Sequence, residues 1–120
     1  MTLQERATAT PAGVVLCRLD DLADPGARNF VLEIKDRRFH GFVVRKGDRV
    51  HGYVDRCPHN GTPLAVFPDR YLTRERDLLL CGTHGALFRV GDGRCVAGPC
   101  EGRALTPWPV TVEGESVVTA

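Results

Sequence analysis

The sequence has no long hydrophobic run and no excess of charge of one sign, and these absences exclude several classes of protein. No stretch approaches the about 18 apolar residues that a membrane-spanning helix needs. Sixteen basic and fifteen acidic residues leave a formal net charge of +1, so the charge favours neither nucleic acid nor an anionic membrane as a partner. Residues 1–13 contain no apolar core typical of a secretory signal, and the expected compartment is the cytoplasm.

Helical periodicity is also missing. Thirteen glycines and eight prolines interrupt short β-branched runs, and no apolar stripe of helical period extends between them. The length of 120 residues suits one domain. The sequence therefore predicts a single all-β domain of small antiparallel sheets over residues 1–120.

Short apolar runs bounded by turn residues predict the strands. The clearest hairpin joins residues 41–45 to 50–54 across Lys46-Gly47-Asp48, and another joins 108–112 to 116–119 across Glu113-Gly114-Glu115. A turn is expected at Asp24-Pro25-Gly26, with Gly26 supplying a permissive backbone dihedral. Further strands are expected at 14–17, 30–34, 77–80, 87–90 and 95–96.

Two short segments each pair a thiol with an imidazole: Cys57-Pro58-His59 and, after a spacer of 21 residues, Cys81-Gly82-Thr83-His84. Thiolate sulfur and imidazole nitrogen bind both zinc and iron–sulfur clusters. A tetrahedral zinc would accept this set, although zinc fingers usually place the two cysteines together and the two histidines together. A [2Fe–2S] cluster with both cysteines on one iron and both histidines on the other needs one ligand per iron from each loop. The order Cys-x-His…Cys-x-x-His meets that need, so a cluster is favoured and zinc stays open.

At these residues the sequence resembles the Rieske iron–sulfur family. The resemblance is clearest in residues 57–64 and 81–88, continues in 91–99, which is similar to the family's Pro-bearing third loop, and covers about residues 14–119. It implies a Rieske-type fold, an incomplete barrel or small antiparallel sheets, with a cluster-binding subdomain at 56–100 inserted in a basal β-scaffold. The implied cofactor is a Rieske-type [2Fe–2S] cluster. Its implied metal ligands are Cys57 and Cys81 on the inner iron and His59 and His84 on the outer iron.

The resemblance also implies which residues surround the cluster. Gly61, Gly82 and Gly85 are expected to let backbone N–H groups approach the cluster sulfurs, although a turn requirement explains each glycine equally well. Leu64 and Pro99 are expected to be exposed near the histidines and to form the rim that contacts a partner. The full set of expected neighbours is Gly61, Leu64, Gly85, Ala86, Phe88 and Pro99.

Two positions after the second histidine indicate the branch of the family. Ala86 and Phe88 stand where high-potential members have Ser and Tyr, whose hydroxyls raise the reduction potential by bonding to sulfur. The first loop also lacks the extra cysteine that such members use to bridge their two loops. The resemblance therefore implies the soluble, oxygenase-associated ferredoxin branch. It also implies a potential near the low end of the roughly −150 to +300 mV range of Rieske centres.

The implied function is a one-electron carrier that passes electrons from a reductase to an oxygenase or another acceptor through transient contacts. It would be a redox component rather than an enzyme by itself, since the chain has no room for a catalytic domain and shows no catalytic residue. One alternative is a small subunit of a larger reductase, similar to that of assimilatory nitrite reductases. Another is a zinc-stabilised binding module. Neither nucleic acid nor a membrane is expected as a partner.

Three features depart from the family pattern or leave its cysteines unexplained. The spacer of 21 residues is a few residues longer than in most ferredoxin-type members, and its excess, at 67–76, is interpreted as a surface insertion or as a partner-docking element. Cys95 and Cys100 are interpreted as structural free thiols or, alternatively, as a disulfide or redox-responsive pair. Cys17 is expected to be a small core residue.

Overall fold

The computed structural model describes residues 9–58, 64, 70–75, 77–82 and 85–120. Within these residues the chain forms nine β-strands, one 3-10 turn at Leu19–Asp21 and no α-helix, as the sequence predicts. The strands are β1 (Val15–Arg18), β2 (Gly26–Ile34), β3 (Arg37–Lys46), β4 (Arg49–Val54), β5 (Leu78–Leu80), β6 (Leu87–Arg89), β7 (Cys95–Ala97), β8 (Val110–Glu113) and β9 (Ser116–Thr119).

The strands form three small antiparallel sheets. Their orders are β1-β9-β8, β2-β3-β4 and β5-β6-β7. The first sheet joins strands from both ends of the chain, the second is built from residues 26–54, and the third from residues 78–97. No helix in the described ranges is long and apolar enough to cross a membrane.

Strand β3 separates two hydrophobic cores. Successive side chains of a strand point to opposite faces, so β3 places Phe39 and Val43 in one core and Phe42 and Val44 in the other. The buried members of the scaffold core are Cys17, Leu22, Phe39, Val43, Trp108 and Val117. Those of the cysteine core are Phe42, Val44, Tyr53, Cys57, Leu64, Tyr71, Leu79, Cys81, Ala86, Phe88, Val90, Cys95, Cys100 and Leu105. Cys17 is thus the small core residue that the sequence predicts.

Trp108 closes the scaffold core over two glycines of the central sheet. A Cβ on Gly41 would lie 2.6 Å from the Trp108 ring, and a Cβ on Gly52 would overlap the Trp108 carbonyl oxygen. The Trp108 backbone N–H also donates to the Gly52 carbonyl at 2.9 Å. Glycine at 41 and 52 therefore admits the indole and its backbone against β3 and β4.

Both predicted hairpins are confirmed. Lys46 pairs with Arg49 across Gly47-Asp48, where Gly47 has a φ of 65°. Glu113 pairs with Ser116 across Gly114-Glu115, where Gly114 has a φ of 61°. In each turn glycine takes the left-handed backbone conformation that other residues adopt at a cost.

A third hairpin, between β2 and β3, is not predicted by the sequence. Ile34 pairs with Arg37 across Lys35 and Asp36, whose φ values are 48° and 68°. Two consecutive positive φ values without glycine give no sequence signal for the turn, although Asp tolerates this region better than most residues.

The turn predicted at Asp24-Pro25-Gly26 is present, but the reason predicted for the glycine, a permissive backbone dihedral, is wrong. The chain bends at Asp24 and Pro25, which are joined by a cis peptide bond, but Gly26 begins β2 and does not have a positive φ. A Cβ at position 26 would lie 2.6 Å from the Ala23 carbonyl oxygen. A close backbone approach, and not a permissive dihedral, accounts for glycine here.

Candidate metal centre

The two candidate cysteine ligands follow strands that end at the cysteine core. Cys57 lies three residues after β4, and Cys81 directly follows β5. Both side chains are 0% exposed and belong to the same core. The structure therefore gathers the two predicted thiols in one apolar environment.

The two candidate histidines, His59 and His84, lie outside the described residues, as does Gly61. Within the described part of the chain no three His, Cys, Asp or Glu side chains form a group that could hold a metal ion. The four-ligand assignment accordingly stays a prediction, of which the structure describes the cysteine half.

Asp55 ties together the two ends of the first loop. It lies two residues before Cys57, is 4% exposed, and its Oδ1 accepts a hydrogen bond of 2.9 Å from the Leu64 backbone N–H. The Asp55 backbone N–H donates to the His40 carbonyl on β3 at 2.9 Å. The segment that carries Cys57 is therefore closed by one carboxylate and anchored to the central sheet.

The second oxygen of Asp55 belongs to a buried polar network. The Tyr71 hydroxyl donates to Oδ2 at 2.9 Å, and the Asn29 side-chain amide donates to Oδ2 at 3.2 Å and to the Tyr71 oxygen at 2.8 Å. The Tyr71 ring stacks on Phe42 with centroids 4.1 Å apart. Buried carboxylates need such partners because an unsatisfied buried charge is costly.

Sequence reasoning missed this network, and Tyr71 corrects one of its interpretations. Tyr71 lies in the segment 67–76 that is interpreted as a surface insertion, yet it is 1% exposed and belongs to the cysteine core. Leu72 also forms a β-bridge with Leu79. The sequence signal for this burial was a tyrosine among the many charged residues of segment 67–76.

Leu64 joins the first loop to the second. Its N–H is bound by Asp55, and its carbonyl accepts a hydrogen bond of 2.7 Å from the Gly82 N–H. The Leu64 side chain is 0% exposed in the cysteine core. The prediction that Leu64 forms an exposed rim is therefore wrong: it packs between the two loops.

The second loop is closed by its own backbone. The Cys81 N–H donates to the Ala86 carbonyl at 2.9 Å, and the Gly85 N–H donates to the Cys81 carbonyl at 2.9 Å. The amides of Gly82 and Gly85 thus donate to backbone carbonyls, and their approach to cluster sulfurs stays a prediction. Gly85 has a φ of 74°, which supports the alternative that a turn requires it.

The third loop contacts both of the others. Gly98 has a φ of 98°, and a Cβ there would lie 2.8 Å from the Ala86 Cα, so this loop lies directly on the second loop. Arg103 donates from Nη1 to the Pro58 carbonyl of the first loop at 3.0 Å. Pro99 is exposed, as predicted.

Tyr53 fixes the β6–β7 hairpin to the central sheet. Its hydroxyl donates to the Val90 carbonyl at 2.5 Å, and its ring occupies the space beside Gly93, where a Cβ would lie 2.7 Å away. Burial, and to a lesser degree the Asp92 carboxylate, raises the pKa of Tyr53 to about 12. The phenol therefore stays protonated and keeps donating well above neutral pH.

The residues around the thiols supply few hydroxyl donors. Ala86 and Phe88 are both 0% exposed in the cysteine core, so a methyl group and a phenyl ring stand where Ser and Tyr hydroxyls would otherwise bond to sulfur. The thiol of Cys100 lies in the same core. Burial first, and then the thiols of Cys95 and Cys57, raise the pKa of Cys100 to about 12. The described surroundings are apolar and rich in sulfur.

This donor set fits an iron–sulfur cluster. Two thiols are withdrawn from water in one core, on two loops joined through Leu64, and thiolate ligation in an apolar shell is the environment of such clusters.

Comparisons with known proteins agree with this reading of the site. The family model described as "Rieske [2Fe-2S] domain" matches residues 13–113. A search of curated protein sequences gives no significant match.

Several solved structures share the fold. The ferredoxin of carbazole 1,9a-dioxygenase from Nocardioides aromaticivorans IC177 is 25% identical, with a TM-score of 0.67 over 92% of this chain and 98% of that one. A chain in the complex of reduced oxygenase and oxidised ferredoxin in carbazole 1,9a-dioxygenase is 24% identical, with a TM-score of 0.70 over 89% and 91%. The Sphingomonas yanoikuyae B1 ferredoxin is 20% identical, with a TM-score of 0.64 over 88% and 95%.

Proposed function

Because the chain belongs to the Rieske [2Fe–2S] domain family, we propose that it is a ferredoxin that passes single electrons from a reductase to an oxygenase or another acceptor. The cofactor of this family is the Rieske-type [2Fe–2S] cluster, and membership sets aside the structural zinc alternative. The observation that carries the proposal is the match to the N. aromaticivorans dioxygenase ferredoxin over 98% of its length.

The proposed ligands are Cys57 and Cys81 on the inner iron and His59 and His84 on the outer iron. When bound, the cluster accepts and releases one electron. The chain's part is to exclude water around the two thiolates and to hold their loops in place through Asp55 and Leu64. Little rearrangement is then needed when the charge of the site changes.

The apolar surroundings favour a low potential within the family. The methyl group of Ala86 and the phenyl ring of Phe88 donate no hydrogen bond to sulfur, and such donors would stabilise the more negative reduced state. We therefore place the reduction potential near the low end of the roughly −150 to +300 mV range.

We propose residues 56–100 as the cluster-binding subdomain and Pro99 as part of its partner contact. In support, β5-β6-β7 is a separate sheet within these residues, and Pro99 is exposed on the third loop. Electron-transfer contacts are small and transient, so a few exposed residues suffice.

We propose the cytoplasm as the compartment. No disulfide joins any of the five cysteines, all of which lie in the described ranges, and the sulfurs of Cys95 and Cys100 lie 3.1 Å apart. Adjacent thiols of this kind are typical of a reducing environment.

The test is to replace His84 by Ala and to compare it with His51→Ala, a histidine on β4 that is assigned no ligand role. Wild type and His51→Ala should contain two iron and two acid-labile sulfide per chain, with a Rieske-type paramagnetic signal after one-electron reduction. His84→Ala should lose that signal. An unchanged signal in His84→Ala would refute the ligand assignment.

The state of assembly of the purified protein distinguishes a ferredoxin from the alternative, a small subunit of a larger reductase. A ferredoxin should take up and pass on one electron per chain as an isolated monomer. Permanent co-purification with a large catalytic subunit, and failure to exchange electrons without it, would favour the alternative.

A further inference from the structure

Two thiols of the third loop, Cys95 and Cys100, lie against each other in the cysteine core. Cys95 begins β7, and Cys100 follows it by five residues in the next turn. The Cys100 Sγ–H donates to the Cys95 Sγ at 3.1 Å, and both residues are 2% exposed. Both are free thiols.

The backbone holds the two cysteines face to face. The Cys95 N–H donates to the Arg103 carbonyl at 2.8 Å, and the Arg103 N–H donates to the Cys100 carbonyl at 2.9 Å. Both cysteines are therefore bound to the same residue. A disulfide needs the sulfurs to approach by only about 1 Å, to the usual bond length.

The pair also adjoins the site described above, since Cys95, Cys100 and Cys57 are buried in the same core. No described group of three ligating side chains could hold a metal, so the sulfurs do not form a second metal site there.

We propose that Cys95 and Cys100 form a reversible disulfide by exchange with a disulfide from solution.

The oxidant is a small-molecule disulfide. One cysteine thiolate attacks a sulfur of the oxidant and releases one thiol. The other cysteine then attacks the resulting mixed disulfide and releases the second thiol. Two electrons pass from the two cysteine sulfurs to the oxidant, and the two cysteine protons end on the two released thiols. The cluster takes no part in the exchange.

Access to the pair needs only a local opening. Pro99 and Glu101, on either side of Cys100, are exposed, so the thiol is buried beneath a surface turn and not deep in a sheet. Turns of this kind open more readily than packed strands. In a reducing compartment, disulfides formed in this way are transient and serve sensing more often than stability.

The test uses the cluster-loaded protein, treated without oxygen with oxidised glutathione, then denatured, alkylated and digested with trypsin. Arg94 and Arg103 bound a peptide, residues 95–103, that contains these two cysteines and no other. Wild type and the control Cys17→Ala should yield this peptide unalkylated and lighter by two hydrogen atoms than its dithiol form. Dithiothreitol should restore two alkylation sites.

The matched variants are Cys95→Ser and Cys100→Ser, in which no peptide lighter by two hydrogen atoms should form. Full alkylation of the wild-type peptide with the cluster intact would overturn the inference. A protein that binds no cluster when purified would instead refute the proposed function, so the two failures are distinguishable.

Discussion

The two cores on either side of β3 are held together by different forces. In the scaffold core, Trp108 packs against Phe39 and Phe30 with ring centroids 4.8 and 6.3 Å apart, and apolar side chains supply the contacts. At the cysteine core, a buried carboxylate, Asp55, gathers an amide, a phenol and a backbone N–H. The scaffold core depends on the shape and buried area of its side chains, and the cysteine core depends also on the direction of its hydrogen bonds.

The difference follows from what each core contains. The scaffold core lies between sheets whose strands supply their own backbone hydrogen bonds. The cysteine core is bounded by loops and by β5, β6 and β7, which have three residues each. Loops need side chains and specific amides to satisfy and position their backbone, and ligand geometry depends on that positioning. Damage to the first core should therefore lower stability, and damage to the second should alter the cluster.

The largest loss of stability is expected from Trp108→Ala. Removing a buried indole should cost about 3–5 kcal/mol through lost burial and a cavity. The cluster spectrum of the folded protein should stay unchanged, because Trp108 packs in the scaffold core, on the other face of β3 from the cysteine core. Urea unfolding followed by circular dichroism measures the loss, and Val31→Ala, at a 49% exposed position, is the control with about 0.5 kcal/mol. A changed spectrum in Trp108→Ala would show that the two cores are not separable.

Asp55→Ala should lower both the stability of the protein and its cluster content. It removes the Asp55 acceptor from the Leu64 N–H and the Tyr71 hydroxyl, and one of several acceptors from the Asn29 amide, at a cost of about 3 kcal/mol. Because the first loop loses its clamp, iron and sulfide content should also fall. Asp48→Ala, in the exposed β3–β4 turn, should change neither. Full cluster content in Asp55→Ala would contradict the positioning role of this carboxylate.

The smallest effect is expected from Tyr53→Phe, which removes the hydrogen bond to Val90 at about 1 kcal/mol. The raised pKa of Tyr53 gives this difference a pH dependence. The folded protein holds the phenol proton more tightly than the unfolded chain does. The stabilisation is therefore fully present below about pH 10 and is lost as the pH rises towards about 12.

Unfolding free energies of wild type and Tyr53→Phe, measured from pH 9 upward, should accordingly converge. A gap that stays constant or widens over this range would show that the Tyr53 phenol does not titrate in the way its burial implies.

Local sequence signals predicted the hairpins with a glycine turn, such as Lys46-Gly47-Asp48, and the delivery of Cys81 by a buried strand. They missed the Lys35-Asp36 turn, where non-glycine residues take positive φ because the long β2–β3 pairing imposes it. The site was predicted through its cysteine motifs. The burial of Leu64 and the use of the Gly82 amide depend on how two distant loops meet, and one-dimensional patterns do not contain that information. Tyr71 was missed for the same reason.

A potentiometric titration of the purified, cluster-loaded protein, followed by its paramagnetic signal, decides whether the cysteine core holds a Rieske cluster without hydroxyl donors to its sulfurs. Such a cluster should show a single one-electron transition with a midpoint near the low end of the roughly −150 to +300 mV range. A strongly positive midpoint, or the absence of a one-electron transition, would contradict it.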